Sequence, residues 1–221
     1  EVPMLNKLRE PVNGLTHYFA AILAVVGLAV LVVISRNDWP KQLSFVVYGA
    51  SLTLLLLASA AYHLIKGLPQ RIQFLRKLDH TAIYFLIAGT YTPICFNMFT
   101  GFWRWGLLSI IWAIALAGSG FKIAFIKTPR LLTAGVYVIM GWLAVMGVNE
   151  IIRVFAVAAI LWLVAGGLFF TVGAIVYVTK TFNFIPGVFG FHEVWHLFVI
   201  GGCACHFMVM LLYVAPYPRP V

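Results

Sequence analysis

The chain has 221 residues, of which 63% are hydrophobic and only 10% are charged. Soluble domains carry about 25% charged residues, so this composition excludes a soluble protein and indicates an integral membrane protein. The formal net charge of +9 does not indicate a nucleic-acid partner, because the lysines and arginines lie in short connections between apolar stretches, where they are expected to meet anionic lipid headgroups.

Seven apolar stretches are long enough to cross a membrane, which takes a helix of about 20 residues. In chain order they are 14–35, 42–65, 79–99, 104–123, 131–149, 153–178 and 191–214. The connections contain turn residues or charges, at 36–40, 66–69, 100–101, 127–129, 149–150 and 183–187. No segment is long enough for a second soluble domain. The sequence therefore predicts one all-α domain over residues 1–221, a seven-transmembrane helix bundle.

The lysines and arginines predict the orientation of this bundle. Ten of them lie on the side that holds the N-terminus and five on the opposite side. The ten are Lys7, Arg9, Lys66, Arg71, Arg76, Lys77, Lys122, Lys127, Arg130 and Lys180, and the five are Arg36, Lys41, Arg104, Arg153 and Arg219. Positive residues accumulate in cytoplasmic loops, so the N-terminus is expected in the cytoplasm and the C-terminus outside.

The seventh predicted span begins with a pentapeptide that can bind metal, His192-Glu-Val-Trp-His196. Histidines at i and i+4 share one helix face about 6 Å apart along the axis, so their imidazole nitrogens can chelate one ion. In soluble proteins His-Glu-x-x-His marks a zinc protease helix with the glutamate as base. Inside a membrane, ionisable residues are costly and indicate function. The pentapeptide therefore predicts metal chemistry at a membrane boundary.

Polar side chains from four predicted helices meet on the cytoplasmic side. In a seven-span topology, the starts of the first, third and seventh helices and the end of the second share one face of the membrane. The residues that they bring there are Glu10, Asn13, Thr16 and His17, then Ser59 and His63, then Asp79 and His80, and finally His192 and His196. Random placement would distribute such residues over both faces, so their convergence predicts a site.

These residue types can assemble into a zinc site. His63, His192 and His196 supply three neutral imidazoles, and a water completes a tetrahedral geometry with one position open for chemistry. Asp79 is expected to orient or deprotonate that water, or to join the metal ligands. Ser59, one turn deeper than His63 on the same face, is placed to hydrogen-bond the water or a reacting oxygen. Zinc lowers the pKa of bound water to about 7, which would supply hydroxide beside the bilayer.

The same side chains also have structural interpretations. Interfacial histidines bind lipid phosphate or backbone, Asp79 suits a helix N-cap or first turn, and Ser59 can bond its own i−4 carbonyl. Glu193 lies about 100° around the helix from His192, so a basic partner such as Lys180 is expected for it rather than a role as general base.

The remaining histidines are expected to lie apart from the metal. His80 is turned away from Asp79 and is interpreted as structural. His206 lies about 15 Å further along the seventh helix than His196, too far to join the same ion, and is expected to form a buried polar bond. The role of His17 stays open.

The motifs together resemble the progestin and adiponectin Q receptor superfamily, specifically its bacterial hemolysin III branch. They are Glu10-Pro-Val-Asn13-Gly-Leu-Thr16-His17, Ser59-Ala-Ala-Tyr-His63, Leu78-Asp79-His80, Gly89-Thr-Tyr-Thr-Pro93 and His192-Glu-Val-Trp-His196 followed by His206-Phe207. Each is short, but their order and placement cover essentially the whole chain. The resemblance implies seven spans with a cytoplasmic N-terminus, in a multi-pass protein of the bacterial cytoplasmic membrane.

The resemblance also implies a metal site and an activity. In adiponectin receptors zinc is held by three histidines that correspond to His63, His192 and His196. The residue that corresponds to Asp79 acts through the zinc-bound water, and a serine corresponding to Ser59 lies nearby. Those receptors are similar to alkaline ceramidases and are linked to amide hydrolysis of ceramide. A glutamate at 193 is not a family requirement, which weakens the protease interpretation.

Three functions follow as hypotheses. The first is a zinc-dependent intramembrane hydrolase of a lipid amide or ester, with membrane lipids as substrate or ligand and a role in membrane lipid homeostasis. The second is a seven-helix receptor or sensor with a structural zinc, and the third is a proton or ion transporter. A retinal-binding pump is disfavoured, because the seventh span contains no lysine for a Schiff base. The sequence leaves the substrate and the oligomeric state open.

Overall fold

Long apolar helices make up nearly all of the chain in the computed structural model, which describes residues 8–185 and 188–220. The α-helices are α1 (Pro11–Ile34), α2 (Trp39–Leu64), α3 (Pro69–Met98), α4 (Gly101–Ala124), α5 (Arg130–Trp142), α6 (Val148–Val154), α7 (Val157–Thr179) and α8 (Phe191–Val209). The described residues contain no β-strand, only an isolated bridge between Ile185 and Phe189. Lys7, Val221 and part of the predicted 183–187 connection lie outside the described residues.

Within the described residues, six segments are long and apolar enough to cross a membrane. They are α1, α2, α4, the continuous stretch Arg130–Val154, α7 and the stretch Phe191–Val214, in which α8 continues through a π-helical end. With α3 as the seventh long helix, the predicted all-α seven-helix transmembrane bundle is confirmed. α1 packs on α2 and α8, α2 on α3, α3 on α4, and α7 on α5 and α8.

The third helix is longer and more polar than predicted. α3 has 30 residues and is therefore about 45 Å long, well beyond the roughly 30 Å hydrocarbon layer. Its first turns carry Arg71, Arg76 and Lys77, and threonines and Asn97 are buried further along. It packs against α2, α4, α5 and the π-helical end of α8. Neighbouring helices thus bury the threonines and Asn97 of α3, which explains why it tolerates polar residues that lipid would not, whereas its charged first turns are exposed or partly exposed.

The early start of α3 changes the setting of Asp79. This residue lies ten positions after Pro69, about 15 Å along the helix. Asp79 is also buried. The alternative in which Asp79 caps the helix or lies in its first turn is therefore wrong.

The fifth span is interrupted, and it ends later than predicted. α5 passes through a 3₁₀ segment, Leu143–Gly147, into α6. The predicted boundary at 149–150 is wrong, because Glu150 forms an ion pair with Arg153 one turn later and the helix continues past it. The break falls instead at Phe155 and Ala156, which adopt extended backbone conformations.

At the end of the bundle opposite the histidines, cationic side chains fasten the C-terminal segment 215–220. Lys41 is buried and donates hydrogen bonds to the carbonyl oxygens of Ala215 and Tyr217, at 3.2 and 2.5 Å. Arg104 donates to the carbonyl oxygen of Pro220 at 2.6 Å, and Arg219 lies 3.4 Å from Asp38. These contacts hold the C-terminal segment against the N-terminal ends of α2 and α4.

Candidate metal centre

Three histidines from two helices converge at one end of the bundle. His63 lies in the last turn of α2, whereas His192 and His196 lie in the first turns of α8. The ring centroids are 5.1 Å apart for His63 and His192, 4.8 Å for His63 and His196, and 4.9 Å for His192 and His196. One nitrogen from each ring lies within 4.8 Å of the others, so the cluster can hold a metal ion.

The hydrogen bonding of these rings fits a metal. His63 Nε2, His192 Nε2 and His196 Nδ1 are buried and have no hydrogen-bond partner among the described residues. Leaving a buried polar atom without a partner costs about 1–3 kcal/mol, and such atoms are rare in native proteins. Three clustered imidazoles that each have an unpartnered nitrogen are a donor set that suits a transition metal.

Glu10 orients one of the three rings, a role that the sequence interpretation missed. Its carboxylate pairs with His63 Nδ1 immediately before α1, and its backbone N–H donates to the carbonyl oxygen of His63 at 2.9 Å. The hydrogen bond with His63 lowers the pKa of the Glu10 carboxyl, against the opposing effect of partial burial. A histidine that binds metal commonly donates its second N–H to a carboxylate. Because the chain has only six acidic side chains, the sequence already limits the candidates for this partner to a few residues.

Asp79 lies beside the cluster but forms its hydrogen bond elsewhere. Its Oδ2 is 3.1 Å from Nδ1 of His80, whose backbone carbonyl accepts a hydrogen bond from the Tyr137 hydroxyl at 2.9 Å. The expectation that His80 is turned away from Asp79 is therefore wrong. The bond between neighbouring side chains fixes the Asp79 carboxylate, and its other oxygen forms no hydrogen bond among the described residues.

His17 adds a fourth ring to the cluster. It is buried in α1 and stacks on His196 with a centroid distance of 4.0 Å. Neither of its ring nitrogens has a hydrogen-bond partner among the described residues. His206, as predicted, lies apart from the cluster, with Nε2 3.4 Å from the carbonyl oxygen of Leu163.

Glu193 has a structural role that the sequence interpretation assigned to the wrong partner. Its carboxylate accepts a hydrogen bond from the backbone N–H of Gly190 at 2.7 Å, which caps α8, and another from the Asn13 side chain at 2.7 Å. The predicted pairing with Lys180 is wrong. One oxygen of Glu193 caps α8 and the other joins α8 to α1 through Asn13, so both are engaged and the protease-like role as general base is not supported.

We expect Glu193→Ala to destabilise the fold without removing metal. The substitution deletes the cap of α8 and the bond to Asn13, and hydrogen bonds to charged groups contribute about 1.5–3 kcal/mol each. Thermal unfolding of the purified protein should therefore begin at a lower temperature, while the metal content of the folded fraction stays the same. Glu150→Ala, which breaks a more exposed pair with Arg153, is the matched control. An unchanged unfolding temperature with loss of metal would contradict the capping role.

Two cavities meet beside the histidines. The first, here called the apolar cavity, has a volume of about 270 Å³ and extends between α3, α5, α6, α7 and α8. Its polar end is formed by His17, Ser59, Asp79 and His80. The second, here called the polar vestibule, has about 300 Å³. Its lining consists of Glu10, Asn13, Tyr62, His63, Arg76, Asp79, His80, Arg130, Tyr177, Phe191, His192 and Glu193.

The two cavities share Asp79, His80 and Tyr177 as wall residues. Ser59 is buried one turn from His63 and faces only the apolar cavity, whereas His63 and His192 face only the polar vestibule. A molecule with an apolar chain and a polar head would therefore have its junction beside Asp79 and the histidines.

Comparison with known proteins identifies the family. Residues 5–207 match the family model for Haemolysin-III related proteins. The chain is 36% identical to the Hemolysin-3 homolog of Bacillus subtilis (strain 168) over 218 residues, which cover 97% of this chain and 99% of the relative. It is 37% identical to Hemolysin-3 of Bacillus cereus over 209 residues, 94% of this chain and 92% of the relative.

A more distant relative is the Monocyte to macrophage differentiation factor of Homo sapiens, 25% identical over 214 residues that cover 93% of this chain and 84% of the relative. The bacterial relatives and the six apolar helices together identify a multi-pass bacterial membrane protein. The family match over most of the chain agrees with the resemblance carried by its motifs, and the chain belongs to the haemolysin III family within the progestin and adiponectin Q receptor superfamily.

Proposed function

We propose that this chain is a zinc-dependent intramembrane hydrolase that cleaves an amide or ester bond of a membrane lipid and acts in membrane lipid homeostasis. One observation carries the proposal. Three clustered histidines, each with an unpartnered ring nitrogen, lie beside Asp79, which lines both the polar vestibule and the apolar cavity.

The donor set supports zinc as the metal. His63, His192 and His196 offer three imidazoles with no carboxylate among the candidate ligands, and carboxylate and water ligands are what magnesium and calcium prefer. Catalytic zinc sites typically have three protein ligands and one position left for water or substrate. When bound there, zinc would supply Lewis-acid polarisation of a carbonyl and activation of a water near neutral pH.

The residues of the chain would perform the remaining steps. The apolar cavity would bind the acyl chain and exclude water from it, which places the carbonyl carbon at the boundary beside Asp79. The free oxygen of the Asp79 carboxylate would accept the proton of the attacking water, while His80 keeps the carboxylate in position. The Ser59 hydroxyl would donate a hydrogen bond to the carbonyl oxygen as negative charge develops on it.

The products would separate into the two cavities. Hydrolysis consumes one water and breaks the bond between the acyl carbon and the amide nitrogen or ester oxygen. The proton held by Asp79 would pass to the departing amine or alcohol, which leaves through the polar vestibule. The fatty acid would remain in the apolar cavity until it diffuses into the bilayer.

The excess of basic residues supports a cytoplasmic location for this site. Lys66, Arg71 and Arg76 lie at the same end of the bundle as the histidines, and Lys41, Arg104 and Arg219 lie at the other end. A reporter inserted at Gly67 should therefore show the cytoplasmic face, and one fused after Val221 should show the outer face. Enzymatic reporters that fold on only one side of the membrane would measure this. Exchanged signals at both positions would contradict the orientation and place the site in the outer leaflet.

Turnover and metal content test the proposal together. We expect about one zinc ion per purified chain and hydrolysis above background with some member of a panel of lipid amides and esters presented in nanodiscs. Full zinc occupancy without hydrolysis of any member would favour a receptor or sensor in which zinc is structural. Ion flux across sealed vesicles, lost on mutation of His63 or Asp79, would favour a transporter instead.

A further inference from the structure

Two arginines line the polar vestibule next to the histidines. Arg76 lies in the first half of α3 and Arg130 is the first residue of α5, so the two come from different helices to one cavity. Both guanidinium groups are close enough to the Tyr177 phenol to interact with it electrostatically. Their charges therefore act on the same small volume, at the mouth of the site.

These two charges have no acidic partner among the described residues. Neither side chain forms an ion pair or a hydrogen bond there, although three carboxylates line the same vestibule. Glu10 is already paired with His63 and Arg9, Asp79 with His80, and Glu193 with Asn13 and Gly190. The vestibule thus holds two arginines without a direct ion-pair partner, and three carboxylates that are each hydrogen-bonded to another group.

Aromatic rings hold one of the arginines in place. The Arg130 guanidinium lies 5.1 Å from the ring centroid of Tyr177 and 5.4 Å from that of Phe191. Stacking of this kind stabilises the cation and restricts its long side chain, while the N–H groups at the edge of the guanidinium plane stay available. An arginine fixed in this way loses little further freedom when it binds an anion, and its planar fork matches a phosphate.

We propose that Arg76 and Arg130 form an anion-binding site for the phosphate group of a lipid whose acyl chain occupies the apolar cavity. The inference rests on the proposed lipid hydrolase and assigns its substrate class as a phospholipid or lysophospholipid rather than a neutral lipid such as ceramide. The phosphate would neutralise the two arginines, and the chain would run past Asp79 into the apolar cavity. This arrangement brings an acyl linkage close to the phosphate beside the histidines.

A pair of ligands that differ only in phosphate tests the site. Native mass spectrometry of the detergent-purified protein would compare dioleoyl phosphatidate with dioleoylglycerol, and inorganic phosphate alone would be titrated separately. Phosphatidate should bind at least roughly tenfold more tightly than dioleoylglycerol. Arg76→Gln and Arg130→Gln should each weaken phosphatidate binding roughly 10- to 100-fold, because each removes hydrogen bonds to a charged group. Arg71→Gln, in the same helix but outside the vestibule, is the matched control and should change nothing.

The outcomes separate the anion site from the hydrolase. Arginine-dependent binding of phosphatidate, with unchanged zinc content and unfolding temperature, supports the site whether or not any lipid is hydrolysed. Inorganic phosphate that binds as tightly as phosphatidate, with the same arginine dependence, also supports the anion site but assigns it to a soluble ligand. The anion site would be overturned if the protein bound the two lipids with equal affinity. It would also be overturned if phosphatidate bound equally well to Arg76→Gln, Arg130→Gln and Arg71→Gln. Zinc-dependent cleavage of neutral amides would then still support the hydrolase.

Discussion

Asp79→Asn should lower the turnover of a lipid amide or ester by about 10²- to 10⁴-fold, the usual contribution of a general base. The asparagine keeps the size of the side chain, but its amide cannot take the proton of the attacking water. Since His63, His192 and His196 form the candidate metal cluster without Asp79, the zinc content should change little. Initial rates under saturating substrate, measured alongside zinc analysis, provide the test.

Asp38→Asn is the matched control, because Asp38 caps α2 at the opposite end of the bundle. It should leave both turnover and zinc content unaltered. Loss of zinc from Asp79→Asn would make Asp79 a metal ligand, and turnover within a few-fold of the unmodified chain would remove its role as base.

Substitution of the histidines should remove the metal itself. Each of three single substitutions should weaken zinc binding by more than about 100-fold: His63→Ala, His192→Ala and His196→Ala. Loss of a residue that only hydrogen-bonds a metal ligand already lowers metal affinity by about 10- to 100-fold. Glu10→Gln, which disturbs the partner of His63, should fall within that smaller range. Competition with a chelator of known affinity measures both effects.

His206→Ala is the control for these variants, because His206 is a partly buried histidine of α8 that lies outside the cluster. It should retain zinc. Full occupancy in a chain that carries both His192→Ala and His196→Ala would show that the metal lies elsewhere.

Much of the fold is predictable because the bilayer sets strict requirements on a sequence. A span must be apolar over about 20 residues, so the number of helices and their connections follow from hydropathy and from basic residues. The spacing of His192 and His196 fixes a shared helix face, and the up-and-down topology brings His63 to the same end. These residues could be placed together without knowing how any helix packs.

The details that escaped prediction depend on tertiary contacts. The start of α3 at Pro69 lies in a polar segment whose residues are exposed or partly exposed, and hydropathy identifies only the apolar part of a helix. Glu193 binds Asn13, 180 positions away in the sequence, and Glu10 binds His63, 53 positions away. No local pattern specifies such pairs. The apolar cavity likewise lies between α3, α5, α6, α7 and α8 and depends on how these helices pack.

The polarity of α3 also affects the biosynthesis of the chain. A nascent helix leaves the insertion machinery for lipid when its residues are apolar enough, and polar groups near the helix centre oppose that release. α2 and α4 meet the hydropathy requirement and both pack against α3. We therefore expect α3 to wait beside the insertion machinery until α4 has emerged from the ribosome, so that the three helices enter the bilayer together. Photo-crosslinks from α3 to the insertion machinery should therefore persist in nascent chains arrested before α4 has left the ribosome, and should disappear in chains long enough for α4 to emerge.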